Sequence, residues 1–118
     1  MKTTTFFGVA FSILFSTAVL AQDKSTSFKV SGNCNMCKRT IENAAKSAGA
    51  TSITWDPSKK IAYVVFDSSK VSVDAIQKQI AGVGYDTEKF TADTKAYNSL
   101  PDCCQYERVK LQVNKSNP

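Results

Sequence analysis

The sequence predicts an α+β fold in which two helices cover one face of a four-stranded antiparallel sheet. Two observations support this prediction. Segments rich in β-branched and aromatic residues are interleaved with two segments whose apolar residues recur at helical spacing. Turn-forming Gly, Pro, Asp and Ser residues separate the segments. The resulting order, strand, helix, strand, strand, helix, strand, is the ferredoxin-like βαββαβ arrangement.

The first strand and the first helix are joined by a short turn. Ser27 to Val30 alternates and predicts the strand, and Ser31-Gly32-Asn33 is typical of a turn. The range 36–48 predicts the helix, and Gly49 stands where a left-handed residue would end it. One stripe of that helix is apolar or small, formed by Cys37, Ile41, Ala44, Ala45 and Ala48.

A hairpin and a second helix complete the pattern. Residues 50–56 and 60–66 predict its two strands, and Trp55 is expected to pack in the core rather than bind a ligand. Ser72 is a suitable N-cap for the second helix, which the glycines at 82 and 84 end. Residues 85–90 then predict a fourth strand. The inner face of the second helix is formed by Val73, Ile76 and Ile80.

The start of the chain has the pattern of a secretory signal peptide. A single lysine precedes an apolar run over residues 6–20, and small side chains precede a cut after Ala21. The alternative is a retained anchor, but the run is short for a bilayer span of about 20 residues. We therefore expect a signal peptide over 1–21 and a protein exported to a bacterial periplasm. Such a protein contacts the membrane only through the cleaved peptide.

The remaining chain divides into three parts. A polar linker is expected over 22–26, a single domain over 27–90 and a C-terminal extension over 91–118. Residues 95–100 predict one helical turn, stopped by Pro101. Beyond the Cys-Cys pair of the extension, an edge strand is predicted from the alternation of Val109, Leu111 and Val113.

Composition disfavours several classes of function. The 118 residues carry a formal net charge of +5, without a basic run that contains interleaved aromatic residues, so nucleic-acid binding has little support. The chain contains no histidine, which removes the commonest general base. It has no nucleophile-elbow serine and no Gly-rich phosphate loop. We therefore predict that the protein is not an enzyme and has no catalytic residues.

Cys34-Asn35-Met36-Cys37 is the candidate binding motif. The two thiols open a helix, whose unpaired N–H groups and partial positive charge favour thiolates. Two thiolates without imidazole suit a soft metal ion such as Cu(I). The alternatives are a disulfide or a redox pair, because a thioredoxin-like oxidoreductase uses the same spacing. That reading usually requires a larger fold and a suitably placed cis-proline, and Pro57 and Pro101 are poorly placed for this role.

Cys103 and Cys104 form a second sulfur pair. If the extension folds back over the motif, both residues become candidates for additional metal ligands. They could instead form a separate copper site, a vicinal disulfide or a bridge to another chain. The sequence alone leaves these alternatives open.

The residues from Ser25 to Phe90 resemble the heavy-metal-associated domain family. The resemblance is carried by the Cys-x-x-Cys loop before a helix, by the strand order and by Gly84-Tyr85. The family includes copper chaperones, soluble domains of metal-exporting ATPases and the periplasmic mercury-binding protein. The resemblance implies that Cys34 and Cys37 are metal ligands and that Tyr85 lies beside them.

Two positions qualify this resemblance. Gly32 stands where family members usually have a methionine that packs under the loop. Met36, between the cysteines, lies at a position that the family fills variably, and we expect it to fill space rather than to act as a weak ligand.

These observations predict an exported carrier of Cu(I) that passes the ion to a partner in metal export or resistance. A metal-transporting ATPase is the expected kind of partner, and the carrier is expected to be a monomer or a metal-bridged dimer. Capture of periplasmic Hg(II), Zn(II) or Cd(II) is the alternative within the binding class. The alternative from another class is a small thiol–disulfide oxidoreductase.

Overall fold

The computed structural model describes residues 23–108. Two short elements, a helix α3 (Thr94–Asn98) and a 3-10 turn (Asp102–Cys104), follow the main elements. The main elements are, in chain order, β1 (Asp23–Lys29), α1 (Asn35–Ala48), β2 (Ala50–Asp56), β3 (Ile61–Asp67) and α2 (Val73–Gly82). The predicted small α+β fold is confirmed for these residues.

The strands form an antiparallel sheet in the order β1-β3-β2. β1 begins at Asp23, earlier than the sequence predicts, and Asp23 pairs with Asp67 of β3. The stretch 23–26, expected to be part of a loose linker, is therefore hydrogen-bonded into the sheet. The domain boundaries at 27, 90 and 91 stay predictions. The predicted signal peptide and the predicted strand over 109–113 lie outside the described residues.

The predicted fourth strand is wrong for the described residues. Only one isolated bridge, between Val30 and Thr87, continues the sheet in this region. The reason is a local turn: the Thr87 N–H donates to the Phe90 carbonyl at 2.8 Å, and the Thr87 hydroxyl accepts from the Phe90 N–H at 3.0 Å. These bonds turn the chain back on itself, so it cannot remain extended alongside β1.

The helix boundaries follow local sequence signals closely. Gly49 adopts the left-handed conformation at φ 117°, and its N–H donates to the Lys46 carbonyl at 3.0 Å. The Ser72 side chain caps α2 by accepting from the Ala75 N–H at 3.1 Å. Both predicted helix signals are confirmed. Within residues 23–108, no helix is long and apolar enough to cross a membrane.

The core lies between one face of the sheet and helices α1 and α2. Trp55 is fully buried, as predicted, and its indole N–H donates to the Val30 carbonyl at 3.0 Å. The same cluster includes residues from beyond the predicted domain: Leu100, Cys104 and Tyr106. The chain after α2 therefore packs on the core, and this places the Cys-Cys pair beside the start of α1.

Candidate metal centre

The Cys-x-x-Cys loop turns directly into α1. Cys34 is the N-cap residue, with extended backbone at φ −144° and ψ 178°, and its carbonyl accepts from the Lys38 N–H at 3.0 Å. Its side chain makes no cap hydrogen bond. Cys37 lies in the first turn and is buried, and its sulfur accepts from the Asn33 N–H at 3.5 Å. The two thiols thus share the N-terminal end of one helix.

Three cysteine sulfurs converge at this end of α1. The Sγ atoms of Cys34 and Cys37 lie 3.5 Å apart, and that of Cys104 lies 3.9 Å from Cys34. All three lie within 4.8 Å of one another. They are free thiols, so the cluster has the donor set that a soft metal ion prefers.

The second sulfur pair is divided between two environments. Cys104 is only 1% exposed and lies inside the cluster, whereas Cys103 is exposed. The Cys103 thiol lies 3.8 Å from the Cys104 sulfur and 3.8 Å from the Met36 sulfur. Met36 is 52% exposed, so its side chain lies at the surface beside Cys103.

The start of the helix lowers the pKa of Cys34. The backbone N–H of Cys37 is the main cause, and further lowering comes from the Cys37 thiol, the Met36 N–H and the Cys104 thiol. Partial burial opposes these effects, and the pKa of Cys34 is lowered to about 7. A substantial fraction of this side chain is therefore thiolate at neutral pH, which is the form that binds metal.

In the buried part of the cluster, pKa values are raised instead of lowered. Burial, reinforced by the Cys37 thiol, raises the pKa of Cys104 to about 12. Burial is also the main cause that raises the pKa of Tyr85, and the neighbouring thiols of Cys104 and Cys37 add to it. Among the described residues, the Tyr85 hydroxyl is a buried group without a hydrogen-bond partner of normal length. It is thus an O–H donor beside the sulfur cluster.

Gly32 is buried against the indole of Trp55, at the position where the family usually has methionine. The space under the loop is therefore filled from β2 rather than from the loop itself. Lys60 adds to this support, because its ammonium donates to the Gly32 carbonyl and lies 5.5 Å from the centre of the Trp55 ring. The loop has a packed base without the methionine.

The sequence identified the cysteines but not what holds Cys104 in place. Tyr106 stacks on Tyr85 with ring centres 5.9 Å apart, and Tyr97 meets Tyr106 edge to face at 5.0 Å. These aromatic residues are candidates for positioning the third sulfur. No spacing pattern predicts this arrangement, because Cys104 ends the 3-10 turn and its carbonyl accepts from the Tyr106 N–H at 3.0 Å.

Proteins similar to this chain are found among solved structures. No protein-family model matches the sequence. No curated protein matches it either. Among solved structures, the CopZ metallochaperone is 30% identical, with 54% of this chain and 98% of CopZ covered at a TM-score of 0.52.

Two further solved structures are similar over the same part of the chain. Oxidised MerP from Ralstonia metallidurans CH34 is 26% identical, with 56% of this chain and 94% of MerP covered at a TM-score of 0.53. The water-soluble region of the P-type ATPase CopA from Bacillus subtilis is 28% identical at a TM-score of 0.53. That match covers 58% of this chain and 46% of the CopA structure, so this chain spans less than half of it.

The fold and the sulfur cluster together define a small α+β domain of the metal-binding type. Since CopZ is matched over nearly its whole length at this identity, the chain belongs to the heavy-metal-associated domain family. The resemblance inferred from the sequence is confirmed.

Proposed function

We propose that the protein is a carrier of Cu(I) that binds the ion through Cys34 and Cys37 and passes it to thiolates of a partner protein. The main observation is the pair of sulfurs 3.5 Å apart at the start of α1, one of them partly exposed. Two thiolates suffice for Cu(I), which accepts low coordination numbers and soft ligands. Access through the partly exposed Cys34 also permits transfer of the ion.

The likeness to CopZ supports this proposal, because that protein is a metallochaperone. The likeness to the soluble region of the CopA ATPase supports a metal-transporting ATPase as the kind of partner. Export to the periplasm is part of the proposal and depends on the predicted signal peptide. Cell fractionation and N-terminal sequencing of the purified protein test this part directly.

The proposed binding is tested by anaerobic Cu(I) titration of the reduced mature protein against a chromophoric Cu(I) chelator. We expect one Cu(I) per chain, and loss of competitive binding in the double variant Cys34→Ser/Cys37→Ser. Cys103→Ser is the matched control, because its thiol is exposed and lies outside the three-sulfur cluster. Failure of the reduced, folded protein to take up Cu(I) would overturn the proposal.

The same titration separates the alternatives. Preferential retention of Hg(II), Zn(II) or Cd(II) in competition with Cu(I) would indicate capture of that ion instead. The short distance between Cys34 and Cys37 also suits a disulfide, as an oxidoreductase requires. Efficient reduction of insulin by the metal-free protein would support that function and contradict the carrier.

A further inference from the structure

Cys104 lies in the binding cluster although it is far from the Cys-x-x-Cys motif in sequence. Its sulfur is 3.9 Å from that of Cys34, and 70 positions separate the two residues. Its neighbour Cys103 is exposed and contributes a backbone carbonyl, which accepts from the Cys34 thiol at 3.6 Å. The two adjacent cysteines therefore have different surroundings.

Side-chain hydrogen bonds hold the segment that carries Cys104 on the core. The Tyr106 hydroxyl donates to the Gly84 carbonyl and accepts from the Asp86 N–H, each at 2.8 Å. The Tyr97 hydroxyl in turn donates to the Tyr106 carbonyl. Tyr97 precedes Cys104 and Tyr106 follows it, so the backbone of Cys104 lies between two residues that these bonds anchor. The fold therefore sets the position of its sulfur.

Ionic contacts continue this anchoring to Arg108. The guanidinium donates to the Asp86 carboxylate at 2.9 Å and also to the Ala92 carbonyl, and it lies 4.5 Å from the centre of the Tyr97 ring. Both partners of the ion pair are largely covered, with side-chain exposures of 19% and 20%. The chain that follows Cys104 is therefore anchored at Arg108 as well.

We propose that Cys104 is the third ligand of the metal ion, so that the protein holds its cargo with three thiolates. This inference rests on the proposed binding through Cys34 and Cys37. Three sulfurs that each lie about 2.3 Å from a central ion, in one plane with it, are about 4 Å from one another. The two sulfur–sulfur distances that involve Cys34, 3.5 and 3.9 Å, are close to this requirement, and the third is at most 4.8 Å.

A third internal thiolate changes how the ion is handed over. In a carrier with two thiolates, a cysteine of the partner can enter the open position directly. Here Cys104 already occupies that position, so the bond from the ion to Cys104 must break as the bond to the partner's sulfur forms. Cys104 then takes up a proton from solvent while the partner's thiol gives one up, and the oxidation state of the ion does not change. The third thiolate thus favours retention of the ion over rapid release.

The test compares Cys104→Ser with Cys103→Ser, two neighbouring substitutions of the same chemistry. The reduced mature protein is loaded with one equivalent of Cu(I), and its coordination is measured by X-ray absorption at the copper edge. We expect three sulfurs in the unchanged protein and in Cys103→Ser, and two sulfurs in Cys104→Ser. Retention against the chelator should fall in Cys104→Ser only, because this variant alone loses a sulfur of the cluster.

The possible outcomes separate this inference from the proposed function. Two-sulfur coordination and equal retention in all three proteins would overturn the third-ligand proposal and leave the carrier function intact. Absence of Cu(I) uptake in the unchanged protein would overturn the proposed function itself. If Cys104→Ser does not fold, the double variant Met36→Leu/Cys103→Ser provides the test. It keeps a three-sulfur site only if Cys104 supplies the third sulfur, and a two-sulfur site would refute the proposal.

Discussion

Trp55 occupies the space that any side chain at position 32 would need. A Cβ atom on Gly32 would lie 2.8 Å from the indole ring and 3.3 Å from the end of the Ile41 side chain. The loop that precedes the candidate ligands therefore requires glycine at this position. The absence of methionine at position 32 is therefore explained by the packing of Trp55 against the loop.

Substitution of Gly32 by methionine should destabilise the protein, although methionine is the residue usual in the family. We expect the free energy of unfolding to fall by about 1–3 kcal/mol, because the added side chain overpacks the core against Trp55. Urea denaturation of the metal-free protein measures the effect. In the double variant Gly32→Met/Trp55→Leu, the loss should be smaller than the sum of the two single losses. Additive losses would contradict the packing relationship.

Gly84 and Gly82 offer a matched pair of substitutions. Gly84 has φ 109°, and a Cβ there would lie 2.9 Å from the Ala96 carbonyl and 3.0 Å from Leu100, so Gly84→Ala should displace the segment that leads to Cys104. We expect a loss of more than about 1 kcal/mol in the free energy of unfolding. A Cβ on Gly82 meets nothing within 4 Å, so Gly82→Ala should be neutral or slightly stabilising. Equal thermal midpoints for the two variants would contradict this prediction.

Tyr106→Phe should loosen the anchoring of Cys104. The substitution removes the hydroxyl that joins the Gly84 carbonyl to the Asp86 N–H, and the loss of one buried partner costs about 1–3 kcal/mol. We expect lower stability and weaker retention of Cu(I) against a chelator. Tyr63→Phe, on the exposed face of the sheet, is the control and should change neither quantity. Unchanged retention in a destabilised Tyr106→Phe would show that this hydroxyl does not position the ligand.

The cysteines should differ in their reactivity towards iodoacetamide, which attacks thiolates. Because the pKa of Cys34 is lowered from 9.0 to about 7, its alkylation rate in the metal-free protein should rise with pH and reach half its maximum near pH 7. Cys104 should remain unreactive across this range, because burial raises its pKa to about 12 and its thiol stays protonated. Peptide mapping by mass spectrometry at several pH values measures each site. A midpoint for Cys34 near pH 9 would contradict the prediction.

Local signals made much of the fold predictable. Gly49 ends α1 because it adopts a backbone conformation that few other residues tolerate, and Ser72 begins α2 because its hydroxyl accepts a helix N–H. The alternation of residues 50–56 gives β2 with the predicted bounds. The fourth strand failed because the side chain of Thr87 bonds locally to Phe90, a competition that a pattern of apolar residues does not reveal.

The candidate site was predictable only in part. The spacing of Cys34 and Cys37 can be interpreted from the local sequence alone, because both thiols lie at the start of one helix. The separate surroundings of Cys103 and Cys104 depend on tertiary packing, including the hydrogen bonds that Tyr106 makes with Gly84 and Asp86, about twenty positions earlier in the chain. Adjacent identical residues give no sequence signal to tell the inner thiol from the outer one. The distinction follows from tertiary packing.

The anchoring of the chain beyond residue 90 has a practical consequence for work with this protein. A recombinant fragment trimmed to the segment that resembles the family, Ser25 to Phe90, would retain the Cys-x-x-Cys motif and most of the sheet. It would lack Leu100, Cys104 and Tyr106, which belong to the hydrophobic core. Affinities measured on such a fragment would describe a site without the Cys104 thiol, on a domain with an uncovered apolar surface. Experiments on the natural activity therefore require the C-terminal extension.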